Sequence, residues 1–76
     1  MDNFVGEIRL VGFNYAPDGW LSCDGSLLEI MEYQALFALL GTRYGGDGVH
    51  TFAIPKLESL VGKHIIAYQG IFPPRP

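Results

Sequence analysis

The chain has 76 residues and a single cysteine, Cys23, so no disulfide can form within it. A domain of this size buries only about 60% of the surface that its unfolded chain would expose, which leaves its stability marginal. Short chains usually compensate with disulfides, a metal ion or association with other subunits. Because an internal disulfide is excluded, the sequence favours self-association or a larger assembly as the source of additional stability.

The composition points in the same direction. Apolar residues make up 49% of the chain and charged residues only 17%, whereas charged residues make up about 25% of typical domains. So small a chain cannot hide this much apolar surface from water, and contiguous exposed patches mark interaction sites. The alternative, a dense monomeric core with glycine-rich loops, stays open at this point.

Charge and hydropathy exclude two classes of partner. The net charge is −3 and the five basic residues are dispersed, so the positive stripe that nucleic-acid binding requires is absent. No apolar run approaches the roughly 20 residues of a membrane-spanning helix, so we expect no membrane insertion. Residues 1–3 lack the features of a secretory signal, and we expect synthesis in the cytoplasm without a signal peptide.

Hydrophobic periodicity predicts short strands. Apolar and polar residues alternate over residues 5–13, which indicates a strand with Ile8 and Leu10 turned inward. Turn residues and β-forming residues predict four more strands. These lie at residues 20–23, 26–28, 51–54 and 64–68.

One helix is predicted over residues 29–40, where apolar residues recur at spacings of three and four. Gly41 follows at the place of a C-terminal cap. The fold class is therefore α+β: a single small β-rich domain, residues 1–76, with short strands around one helix. The residues that we place in its core are Ile8, Leu10, Trp20, Leu36, Phe37, Leu40 and Phe52.

The candidate chemical groups do not form a catalytic, cofactor-binding or metal site. The glycine-rich segment 44–48 follows the helix, whereas a phosphate-binding loop precedes one, and Asp47 alone cannot satisfy calcium. His50 and His64 have no partner at metal-ligand spacing. Cys23 lies between apolar residues and Asp24, a setting that disfavours the thiolate. The sequence therefore predicts a protein that is not an enzyme and needs no cofactor.

An ordered set of short segments resembles a known family, the phage tail collar domain, which includes the so-called microcystin-dependent proteins. The resemblance covers about residues 4–57. The segments are residues 6–10 (GEIRL), 16–20 (APDGW), 23–25 (CDG), 34–42 (QALFALLGT), 44–48 (YGGDG) and 51–55 (TFAIP). Residues 66–73 (IAYQGIFP) resemble the C-terminal end of longer members.

The chain departs from the family pattern in three places. Residues 56–59 (KLES) replace the usual Asp-Leu-Arg-Gly after Pro55, Met31 stands where a polar helix cap is common, and a central region is missing. Longer members carry a central region after the TFAIP segment, which in tail fibres includes a histidine-bearing, metal-binding receptor tip. Here only a few residues separate Pro55 from His64, so that tip is missing. The resemblance thus implies a structural, self-assembling protein and not a receptor-binding one. It would form a trimer, ring or filament in a phage tail, a tail-derived particle or a bacterial surface fibre.

The expected partner is a second copy of the chain, together with other tail or fibre proteins. Residues 64–68, a β-prone strand, are predicted to lie at a sheet edge that pairs with a neighbour. The proline-rich tail that follows, up to residue 76, is expected to lie across the neighbour as an extended arm. The residues that we assign to this interface are Ile65, Ile66, Tyr68, Ile71 and Phe72. The competing hypothesis is a non-catalytic module that binds a glycan or a protein through exposed aromatic residues.

Overall fold

The computed structural model of the chain describes residues 3–74. The elements, in chain order, are β1 (Ile8–Val11), β2 (Trp20–Ser22), β3 (Leu27–Glu29), α1 (Gln34–Leu40), β4 (Thr51–Ala53) and β5 (Lys63–Ala67). They form a three-stranded sheet with the order β1-β5-β2 and a two-stranded sheet of β3 and β4. All pairs of strands are antiparallel. This small, mostly β structure with one short helix is compatible with the predicted α+β class.

Strand β5 occupies the centre of the three-stranded sheet. Its Ile65 lies opposite Arg9 of β1 on one side and opposite Ser22 of β2 on the other. The prediction that residues 64–68 form a sheet edge is therefore wrong. Both sides of the β5 backbone are occupied within the chain, so the sheet edges are β1 and β2.

Helix α1 is shorter than predicted and begins at Gln34 instead of residue 29. Glu29 ends β3, and residues 30–32 form turns in which the Tyr33 N–H reaches the Glu29 and Ile30 carbonyls at 3.2 Å. Ile30 and Tyr33 still pack against the core, and apolar spacing cannot distinguish such a turn from a helix. The C-terminus agrees with the prediction, since the N–H of Gly41 donates to the Phe37 carbonyl at 2.8 Å.

The buried side chains form two clusters, one on each face of the three-stranded sheet, because neighbouring residues of a strand point to opposite sides. The larger cluster contains Ile66 and joins both sheets to α1; it consists of Val5, Cys23, Leu36, Phe52, Ile54 and Ile66. The Phe37 ring packs edge-on against Phe52, with 5.3 Å between ring centroids. The smaller cluster consists of Trp20, Ile65 and Ala67, with Val11 and Ala16 packed against it.

Most of the predicted core residues lie in or against these clusters. Trp20, Leu36 and Phe52 are buried, and Phe37 and Leu40 are half-buried against the larger cluster. The prediction is wrong for two residues of β1, since Ile8 is 40% and Leu10 50% exposed.

The physical reason is the position of β1. Ile8 lies opposite Ile66, so it projects to the face of the larger cluster. However, β1 is an edge strand, and the layer that covers Ile66 does not extend over it. Alternation identified which residues share a face but not whether that face is covered.

The glycine-rich segment packs along the side of β4 that faces away from β3. The Ala53 N–H donates to the Gly45 carbonyl at 3.0 Å. At Gly46, with φ of +92°, a Cβ atom would lie 2.4 Å from the Phe52 Cα. Only glycine permits this approach, so the loop covers a strand edge that would otherwise be open.

We expect Phe52→Ala to unfold the protein or bring it close to unfolding. Phe52 is fully buried, and removal of a buried phenylalanine ring costs about 3–5 kcal/mol, a large part of the stability of a small domain. Phe13→Ala is the control, because this ring is 42% exposed and its loss should cost about 0.5 kcal/mol. Chemical denaturation followed by circular dichroism measures both; equal midpoints would contradict the assigned core.

Candidate interaction surface

The N- and C-terminal segments together form an exposed apolar surface, which we call the terminal patch: Phe4, Ile71 and Phe72. Their side chains are 44%, 51% and 49% exposed. The backbone beneath them is fixed, because the Val5 N–H donates to the Ile71 carbonyl and the Ile71 N–H to the Asn3 carbonyl, both at 2.9 Å. The backbone of the terminal patch is therefore ordered by hydrogen bonds between the two segments.

Asn3 is the polar residue that anchors this arrangement. It is buried, and its Nδ2 donates to the Gln69 carbonyl at 2.8 Å. A Cβ atom on Gly70 would lie 2.4 Å from the Asn3 carbonyl oxygen. Asn3 is not among the residues predicted from the sequence, because nothing in its sequence neighbourhood shows that residues 3 and 69 meet.

The predicted interface residues separate into two groups. Ile65 and Ile66 are 2% and 0% exposed within the monomer, so assigning them to an interface is wrong. Tyr68 is half-buried, with its ring edge-on to Tyr33 at 5.3 Å. Ile71 and Phe72 are exposed, as an interface requires. Of the tail at residues 64–76, Arg75 and Pro76 lie outside the described residues.

The free edge of β1 is a second exposed surface. Ile8 and Leu10 project from one face, while Glu7 and Arg9 alternate with them. The Arg9 Nε lies 2.6 Å from the Glu7 Oε2, and the Arg9 guanidinium lies over the Trp20 ring at 5.1 Å from its centroid. Apolar and charged side chains therefore share this edge in alternation.

The exposed aromatic residues at the turn between β1 and β2 stack on each other. The centroids of the Phe13 and Tyr15 rings are 4.8 Å apart and the rings are tilted by 35°. Trp20, at the end of the same turn, is 8% exposed. It is a packing residue and offers no flat surface on which a sugar ring could stack.

Within residues 3–74 there is no group of three or more histidine, cysteine, aspartate or glutamate residues that could hold a metal ion. An open depression of about 380 Å³ lies between the end of β2 and the segment 56–63. It is lined by charged residues of both signs: Asp24, Lys56, Glu58 and Lys63. This mixture does not favour a ligand of either charge.

Asp47 organises the loop between α1 and β4. Its Oδ1 accepts hydrogen bonds from the N–H groups of Val49 and His50 at 2.8 Å and of Thr51 at 2.9 Å. These backbone donors hold the pKa of the Asp47 carboxyl well below its ordinary range. The carboxylate that was considered for calcium thus fixes its own loop.

Cys23 belongs to the larger core cluster and is 4% exposed. Burial, and to a lesser degree the neighbouring Asp24 carboxylate, raises the pKa of its thiol to about 11. The thiol is therefore protonated near neutral pH, and a protonated thiol is a poor nucleophile.

We expect Asp47→Ala to increase amide hydrogen exchange at Val49, His50 and Thr51, because their shared acceptor is removed. In the parent protein these three amides are protected from exchange at pH values above the ordinary aspartate pKa of about 4. Their protection decreases as the pH falls toward the lowered pKa of the folded state. Asp18→Ala, at an exposed turn position, is the matched control. Equal exchange in both variants would show that the Asp47 carboxylate does not hold the loop.

We expect the Cys23 thiol to react with a disulfide reagent at pH 8 only after unfolding. Because its folded-state pKa is raised from an ordinary 9.0 to about 11, the unfolded state loses its proton first, and the free energy of unfolding should fall as the pH rises above 9. Cys23→Ala should make the free energy of unfolding less dependent on pH above 9. Fast labelling of the native protein would contradict the burial.

In residues 3–74 no helix is long and apolar enough to cross a membrane. No curated protein matches the chain. A family model described as the phage tail collar domain matches residues 6–62, which are 57 of the 76 residues. The match contains β1 to β4 and α1 and ends just before β5. The chain belongs to the phage tail collar domain family.

Proposed function

We propose that this chain is a structural subunit that associates with copies of itself, as a trimer, ring or filament, in a phage tail, a tail-derived particle or a bacterial surface fibre. Membership of the collar family indicates a structural role in a phage tail and association with a virion. The observation that carries the finer proposal is the terminal patch, in which three large apolar side chains are held outward by an ordered backbone.

The energetics of the patch favour a protein partner over open solvent. Apolar surface contributes about 25 cal/mol for each Å² removed from water, and Phe4, Ile71 and Phe72 are each about half exposed. Their backbones already pair through the Phe4–Ile71 bridge, so a partner need not order them on binding, and the entropic cost of association is reduced. A second copy of the chain meets this need without a further component.

The chemistry of the described residues supports a structural role in the same way. Asp47 binds backbone amides and Cys23 is a buried, protonated thiol. Both groups therefore serve the fold. Because Asp47 and Cys23 stabilise the fold and are not available for a reaction, they support a protein that functions through surface contacts, as a tail subunit would.

We expect sedimentation velocity over a dilution series to show an oligomer at micromolar concentration, and Phe72→Asp to raise its dissociation constant by about tenfold or more. Phe72 is about half exposed, so an interface would gain about half of the roughly 1.5–3 kcal/mol of a fully buried phenylalanine. An aspartate in its place adds the cost of burying a charge, and 1.4 kcal/mol corresponds to a factor of ten. A substitution is preferable to deletion of residues 71–76, because the Ile71 backbone also holds Val5 and Asn3.

Leu60→Asp is the matched control, since Leu60 is completely exposed and lies in the loop before β5. It should leave the dissociation constant unchanged. A parent protein that stays monomeric at high micromolar concentration would overturn the proposal. Equal weakening by both substitutions would remove the terminal patch as its basis.

A further inference from the structure

We infer that the free edge of β1 pairs antiparallel with β1 of a second copy, about a two-fold axis at Ile8, and that Glu7 and Arg9 set this register. The inference rests on the proposed self-association and names a two-fold contact, which fits a filament or a ring with alternating contacts and not the contact that closes a trimer. It is carried by three features of β1: an open edge, exposed apolar side chains and a charge pattern that is complementary to itself.

The edge is open because β1 has β5 as its strand partner on one side and no strand on the other among residues 3–74. The Glu7 carbonyl accepts a hydrogen bond from the Ala67 N–H at 2.9 Å, so it points toward β5. Since successive peptide groups of a strand point to opposite sides, those of Ile8 and Leu10 face away from β5. Unpaired groups of this kind are a template for another strand.

The edge of β1 has few of the features that block pairing in natural edge strands. The strand is short, at four residues, but it contains no proline, and no charged side chain lies on the face of Ile8 and Leu10. Here Ile8 and Leu10 are 40% and 50% exposed on one face. Arg9 lies back over Trp20 on the opposite face, beside Glu7. A second strand would cover Ile8 and Leu10 without displacing a blocking residue.

The charges distinguish between possible registers. With the axis at Ile8, each Arg9 lies opposite the Glu7 of the second copy, and both cross-strand pairs join opposite charges. With the axis at Arg9, the two guanidinium groups face each other, which is unfavourable. With the axis at Ile8, the outward N–H and C=O groups of the two Ile8 residues also form hydrogen bonds with each other. The two sheets would then form one continuous sheet across the axis.

Disulfide cross-linking of full-length variants tests the register directly. In a hydrogen-bonded antiparallel pair the two Cα atoms are about 5.5 Å apart, within disulfide range. We therefore expect Ile8→Cys to form a covalent dimer under mild oxidation. Leu10→Cys is the matched control, because its two copies would lie about 13 Å apart along the strands. The parent Cys23 is buried and should not contribute.

Charge reversal gives a second readout that does not depend on cysteine. Glu7→Arg alone and Arg9→Glu alone each place like charges opposite each other in the pair, and each should raise the dissociation constant by about tenfold. Both variants lose the ion pair within the chain, and Glu7→Arg also loses the hydrogen bond that the Phe4 N–H donates to the Glu7 carboxylate at 3.0 Å. When the two are mixed, every cross-strand pair is again between opposite charges, so association should recover only in the mixture.

The outcomes separate this inference from the proposed function. Association of the parent protein with cross-linking at Leu10→Cys as fast as at Ile8→Cys, or without recovery in the mixture, overturns the pairing of β1 and leaves self-association intact. A parent protein that stays monomeric overturns both. Circular dichroism of each variant confirms that the comparison is between folded chains. Ile8→Cys, a small change at an exposed position, keeps the test valid if a charge variant does not fold.

Discussion

Placement of β5 between β1 and β2 is the interaction on which the rest of this structure depends. Residues 63–67 pair with residues 8–11 and 20–22, so two strands from the beginning of the chain are joined through one from its end. Without β5, neither β1 nor β2 has a partner in the three-stranded sheet. The two buried clusters also lose Ile66 and Ile65. The family match ends at residue 62, so the strand that completes the sheet follows the matched region directly.

The layer that covers the three-stranded sheet is small, which explains why so much apolar surface is exposed to solvent. Leu36, Phe52 and Ile54 cover the middle of the three-stranded sheet around Ile66, but one short helix and a two-stranded sheet cannot extend over β1. The two ends of the chain meet beside this sheet and hold Phe4 and Phe72 outward. Exposed apolar surfaces of this kind favour association, and under the proposed function they are contacts between subunits.

Local patterns predicted the elements better than they predicted their environment. Turn residues and β propensity predicted β2, β3, β4 and β5 to within one residue at each end, and Gly41 ended the helix as expected. The strand predicted over residues 5–13 is shorter, because β1 covers only Ile8–Val11. The start of α1 was misplaced because Ile30 and Tyr33 have helical spacing yet lie in or beside turns. Of the residues assigned to an interface, Ile71 and Phe72 are exposed, whereas Ile65 and Ile66 lie in a central strand. Propensity alone does not separate a central strand from an edge.

The sequence by itself determined that this is a short-stranded, β-rich chain without an internal disulfide, and its ordered motifs identified the collar family. It also contained the alternation of Glu7, Ile8, Arg9 and Leu10, although not its meaning. Only the tertiary structure decided that β1 is an edge, that β5 is central and that Asn3 joins the two ends. The reason is that periodicity is a property of neighbouring residues. Burial and edge position depend instead on contacts between residues far apart in the chain, such as Arg9 and Ile65.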